Sequence, residues 1–73
     1  MHADPQALLD LAWQRMPFGK YQGRYLDEIP EAYYVWFKQK GWPTGKLGDQ
    51  LQAMFEVKIN GLEYIIREIR SHG

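Results

Sequence analysis

The sequence predicts a small α+β domain, a short two-stranded β-hairpin packed on three or four α-helices and mostly helical, and three observations lead there. Apolar residues recur at spacings of three and four along four separate stretches, which is the period of helices with one buried face. Between the first two stretches, Met16-Pro17-Phe18-Gly19-Lys20-Tyr21-Gln22-Gly23-Arg24-Tyr25 alternates rings, cations and glycines, as two short arms around a tight turn would. Length then bounds the architecture: 73 residues and 8.6 kDa allow about 60% of the unfolded surface to be buried, enough for one core and no second. Residues 1–73 therefore read as one small domain.

The first helix starts at Asp4, whose carboxylate can cap free amides, with Pro5 preset for the first helical position. Leu8, Leu9, Ala12, Trp13 and Met16 form its apolar face, and Pro17 ends it near Arg15, because the residue before a proline disfavours the helical region. In the hairpin, Phe18-Gly19-Lys20 and Arg24-Tyr25-Leu26 are extended pieces around Tyr21-Gln22-Gly23, the two glycines supplying backbone angles that other residues resist. Such a hairpin is not stable alone, so Phe18, Tyr25 and Leu26 are its expected attachments to the helices.

Asp27-Glu28-Ile29-Pro30-Glu31 reads as the acidic entry to a second helix, where the helix dipole favours carboxylates. On that helix Tyr33, Trp36, Phe37 and Lys40 share a face, with Trp36 and Phe37 in the core and Tyr34 and Lys38 toward the other side. Gly41 closes it as a left-handed cap, with Pro43 shortly beyond. Thr44 caps a third helix carrying Leu47, Leu51, Met54, Phe55 and the Lys58 stem in one stripe. Asn60-Gly61 breaks it. Leu62, Ile65, Ile66 and Ile69 continue in helical register to the end; three isoleucines would also suit a strand, and helix is the preferred reading.

Composition narrows function by exclusion. With no cysteine there is neither a disulfide nor a thiolate metal site, and a reducing compartment fits. No apolar run approaches the roughly 20 residues of a membrane span, and Met1-His2-Ala3-Asp4-Pro5 lacks the features of a signal peptide. The expected location is the cytoplasm. Ser71 and Thr44 are the only hydroxyls of their kinds, and His2 and His72 lie at the ends, so no nucleophile, base and orienting partner can be assembled. Asp27, Glu28 and Glu31 read as a helix's first turn and not as a metal site. Gly41-Trp42-Pro43-Thr44-Gly45-Lys46-Leu47 looks briefly like a phosphate loop, but its glycines are one residue too close and Leu47 replaces the hydroxyl that would meet magnesium. The expectation is a protein that is not an enzyme and needs no cofactor or metal.

Charge distribution points to binding instead. Nine Lys and Arg balance nine Asp and Glu, yet from Leu11 to Leu26 the only charges are Arg15, Lys20 and Arg24, and from Ala32 to Gly48 only Lys38, Lys40 and Lys46. Nine of the eleven aromatics, three Phe, five Tyr and three Trp in all, also fall in these acid-free windows. The start of the third helix at Thr44-Gly45-Lys46 offers free amides and a lysine to one phosphate, although ordinary capping would use the same residues. Trp42, between Gly41 and Pro43, reads equally as a packing lid or a stacking surface.

The run from Met16 to Arg24, followed by Leu26, Ile29-Pro30, Tyr33 and Trp36, and later Gly45-Lys46-Leu47-Gly48 and Asn60-Gly61-Leu62, resembles a family of short bacterial proteins of unknown function, some labelled putative quorum-sensing-regulated virulence factors. The same segment is similar to a carboxy-terminal extension of exodeoxyribonuclease X-like enzymes, which implies a place beside nucleic acid. No nuclease residue carries over, because the catalytic carboxylates of those enzymes belong to a separate domain. Tyr25 departs from the pattern, which would have a smaller residue there, often proline.

The resulting expectation is a non-catalytic nucleic-acid-binding accessory, with single strands favoured. Lys20, Arg24 and Lys46 would meet phosphates while Tyr21 and Trp42 stack on unpaired bases. The alternative is a protein-interaction or regulatory module using an exposed patch of Tyr21, Tyr34 and Trp42. Neither reading involves a membrane.

Overall fold

The computed structural model describes residues 5–72. Among them are four α-helices, α1 Pro5–Trp13, α2 Glu31–Lys40, α3 Gly45–Ile59 and α4 Glu63–His72, and a 3₁₀ helix, Leu26–Glu28, between α1 and α2. No strand or sheet occurs among the described residues, only one isolated antiparallel bridge between Arg15 and Tyr25. The fold is therefore all-helical, and the α+β expectation with its β-hairpin is corrected. The expected capping role of Asp4 and the position of His2 lie outside the described residues.

The predicted hairpin is a closed loop. Met16 N–H donates to Arg24 O at 2.8 Å and Leu26 N–H to Gln14 O at 3.3 Å, so pairing does begin. It stops at one bridge for two reasons. Gly23 N–H takes Met16 O at 2.8 Å where a regular ladder would place Arg24 N–H, a slip that breaks the register, and Gly19 (φ 78°) and Gly23 (φ 87°) bend the chain out of extended geometry. Two turns close the loop instead, Gln22 N–H to Gly19 O at 3.2 Å and Arg24 N–H to Tyr21 O at 3.0 Å. Met16 takes the inward position, and Phe18, expected in the core, is 44% exposed.

Helix α1 packs against α4 and α2 against α3, with the 3₁₀ helix touching α1, α3 and α4 between the two pairs. Leu26 and Ile29 fill the centre, joined by Leu11, Ala12 and Met16, by Tyr34 and Phe37, by Leu51 and Met54, and by Ile66. Each fully buried Leu, Ile or Met side chain contributes about 1.5–3 kcal/mol. The stripe expected on α3 is inward, with Leu51 and Met54 buried and Leu47 and Phe55 packed against them. Residues 63–72 are helix, as preferred over strand.

Two helix faces are rotated from expectation. Helix α1 ends at Trp13, not near Arg15, and buries Leu11 and Ala12 while Leu8, Leu9 and Trp13 stay exposed. On α2, Tyr34 is fully buried and Trp36 is 48% exposed, the reverse of the expected arrangement. The buried hydroxyl explains the turn of the face: Tyr34 Oη donates to Leu26 O at 2.7 Å, a partner supplied by the 3₁₀ helix. Gly41 ends α2 at φ 111° and ψ 135°, which is not a left-handed helical cap, while its N–H still reaches Phe37 O. Thr44 is the N-cap of α3 by backbone geometry, and its side chain makes no capping hydrogen bond.

Candidate functional site

The five residues expected to form one site occupy three places. Lys20 and Tyr21 line an open groove of about 340 Å³ together with Pro30, Ala32, Tyr33 and Trp36. Arg24 is exposed on the same loop, its N–H bonded to the Tyr21 carbonyl at 3.0 Å, so two cations flank one turn. Trp42 lies in a smaller depression beside Lys38, Gln52, Phe55 and Glu56. Lys46 faces a third groove, on α1 and α3, where its Nζ is 3.7 Å from Asp10 Oδ2.

The first groove is a run of flat rings edged by a cation. Tyr21 meets Tyr33 edge-on at 4.9 Å between centroids, and Tyr33 lies nearly parallel to Trp36 at 6.1 Å with a 10° interplanar angle. Lys20 Nζ sits 5.5 Å from the centre of the Tyr21 ring. No carboxylate is among the residues that line this groove. Tyr21 and Tyr33 are partly buried against the core and Trp36 is the exposed ring of the three, and an exposed Trp face stacks on planar groups.

Trp42 resolves toward packing. It is parallel to Phe37 at 6.1 Å and tilted on Phe55 at 6.0 Å, closing the seam between α2 and α3. Lys46 is compromised as a phosphate ligand because Asp10 and Asp49 line the same groove. Tyr34, one of the three residues of the alternative protein-binding patch, is in the core, so that patch as expected does not exist.

The three carboxylates read together as one helix entry go separate ways. Glu28 Oε1 accepts from Tyr25 N–H at 3.3 Å, and Glu31 begins α2. Asp27 has a fully buried side chain and forms a bidentate pair with Arg70, at 2.7 and 3.0 Å. Arg70 also donates to Ala12 O at 2.7 Å and its guanidinium lies 4.0 Å from the Tyr25 ring centre. The hydrogen bond to Asp27 raises the Arg70 pKa above its ordinary value, outweighing the opposing effect of burial. Arg15 covers Tyr25 as well, at 4.5 Å, and donates to its hydroxyl at 2.9 Å. The bulky residue at this position is thus held between two guanidiniums. Lys58 completes the lock, donating to Asp27 O at 2.8 Å.

Tyr33 and Trp36 line the groove without having been expected there, Trp36 having been expected in the core and Tyr33 on the same helix face. A signal existed: Tyr33, Tyr34, Trp36 and Phe37 put four rings in five positions, and a helix with one buried face cannot turn them all inward. Arg70 gave none, since 43 residues separate it from Asp27.

The family described as "putative quorum-sensing-regulated virulence factor" matches residues 4–69. The protein described as "Uncharacterized protein YpeB" of Escherichia coli (strain K12) is 38% identical over 68 residues, covering 92% of this chain and 94% of that one. Its counterpart of the same description in Escherichia coli O157:H7 is similar to the same extent, 38% over 68 residues. No solved structure matches.

Proposed function

The chain belongs to the family described as putative quorum-sensing-regulated virulence factor, and from that premise we propose a non-catalytic binding module whose ring-lined groove takes single-stranded nucleic acid. The observation that carries the reading is the convergence of Lys20, Tyr21, Tyr33 and Trp36 on one groove without a carboxylate. The exposed Trp36 ring, with the partly buried Tyr21 and Tyr33 beside it, supplies sequence-tolerant stacking, worth about 1–3 kcal/mol per base, and Lys20 with Arg24 supplies the backbone contacts. Lys46 and Trp42 leave the binding set, and Tyr33 and Trp36 enter it. The non-catalytic part of the reading rests on the poverty of nucleophiles: no Cys, and Ser71 and Thr44 alone among hydroxyls of their kinds.

The test is anisotropy of a labelled oligonucleotide at low salt, with amide-shift mapping of the complex. Binding with shifts at 19–24 and 32–36 is the expected outcome. Lys20→Glu with Arg24→Glu should abolish it while leaving the fold intact. No binding below about 100 μM protein would sink the proposal, since weak non-specific association alone reaches that range. Retention of a protein ligand by the double variant would place a protein partner on the groove instead.

A further inference from the structure

We propose that the groove on α1 and α3 docks a second copy of this chain in a two-fold contact. It is the larger of the two open grooves described above, about 440 Å³, with Ala7, Leu8 and Leu11 on one wall and Ala53 on the other. The small alanines leave the space, and Leu8 on its wall is exposed, as is the next residue of the same helix, Leu9. The chain therefore carries both an apolar cleft and a leucine ridge on the same helix, which is the self-complementarity an isologous contact needs.

The charges choose between occupants. Asp10, Lys46 and Asp49 all line the groove. The Lys46 ammonium is 3.7 Å from Asp10, at the loose end of ion-pair geometry, and its side chain is 74% exposed, so it is free to change partner. Asp49 lies three residues along α3 from Lys46, on an adjoining position of the helix surface. Under a two-fold axis, Lys46 of each copy meets Asp49 of the other, and both contacts are attractive. A polyanion is disfavoured there by the two carboxylates. Zero net charge adds no long-range repulsion between copies. At the low end of specific interfaces each copy would bury about 600 Å², a small share of the 5019 Å² of folded surface. The contact is thus a weak, concentration-dependent one.

Sedimentation of the full chain from about 10 μM to about 1 mM spans the range of such contacts. The weight-average mass should climb from 8.6 kDa toward twice that value. Lys46→Glu sets carboxylate against carboxylate at both contacts, and Asp49→Lys sets ammonium against ammonium at both. Each variant alone should associate at least about tenfold more weakly. An equal mixture should recover association, because both cross-pairs are then opposite in charge. Both changes are on the surface, and circular dichroism verifies the fold of each. Leu8→Asp should keep the chain monomeric throughout. A wild-type chain that stays monomeric overturns the proposal, as do a mixture no tighter than its components and a dimer indifferent to Leu8→Asp. A monomeric wild type that takes up a basic amphipathic peptide in this groove overturns it too, in favour of a foreign partner.

Discussion

The Tyr34 hydroxyl, buried and bonded to Leu26 O at 2.7 Å, also gives the fold a pH limit. Burial first, and the Asp27 charge second, raise its pKa well above the ordinary value. An unfolded tyrosine ionises near pH 10. Below that pH both states hold the proton and the stabilisation is complete. Above it the unfolded chain releases a proton that the folded chain keeps, so stability falls by up to about 1.4 kcal/mol per pH unit. Urea unfolding between about pH 8 and 11 should show the advantage of wild type over Tyr34→Phe shrinking above pH 10. At neutral pH that variant should lose about 0.5–1.5 kcal/mol, because the Leu26 carbonyl then keeps only the longer bond from Ile29 N–H, at 3.3 Å. Asp27 and Arg70 set the larger single-residue effect. Arg70→Met strands a fully buried carboxylate and should cost about 3–5 kcal/mol. A chain of this length holds roughly 4–11 kcal/mol in total, so the thermal midpoint should fall sharply or the fold should be lost. A midpoint shift of only a degree or two would contradict that account.

At the scale of elements, the entry to α3 is fixed by a close backbone approach. A Cβ placed on Gly48 would lie 1.7 Å from Pro43 O, a backbone atom that cannot swing aside. Alanine is the better helix former by about 1 kcal/mol, but the clash outweighs it. Gly48→Ala should therefore destabilise by at least about 1–3 kcal/mol, read from a shift in the urea midpoint. Helix α2 divides its rings between two duties, with Tyr34 and Phe37 buried and Tyr33 and Trp36 facing the groove. Trp36→Ala removes ring contacts to Tyr33 and Phe37 and should cost about 1–3 kcal/mol of stability, while weakening oligonucleotide binding by the folded protein by about 5- to 150-fold, the equivalent of one stacked base. Unchanged binding by the folded variant would return Trp36 to a packing role. The periods of all four helices were legible in the sequence, but on α1 and α2 the inward direction was not. Period alone leaves the phase of a face open by a residue when apolar side chains outnumber the inward positions.

Across the whole molecule, the two grooves differ in sign and content. The ring-lined groove sets Lys20 beside Tyr21, Tyr33 and the exposed Trp36, and Arg24 is exposed on the same loop as Lys20. The α1–α3 groove mixes Asp10, Asp49 and Lys46 around an apolar floor. Separating Lys46 from the loop changes the expected salt dependence. Three phosphate contacts would give a logarithmic slope near −2 for a single strand; two give about −1.4, measurable by titrating the oligonucleotide at several salt concentrations. Among the described residues no helix is long and apolar enough to cross a membrane. By itself the sequence determined the helical periods, the breaks at Gly41 and Asn60-Gly61, the family, and the acid-free character of the Met16 to Tyr25 segment, because these follow from local order along the chain. Only the tertiary structure decided that Tyr34 and not Trp36 enters the core, and that Asp27 pairs with Arg70. Those outcomes depend on which distant partner reaches a buried polar group, and the free energy of satisfying that group exceeds the small local preferences that a sequence displays.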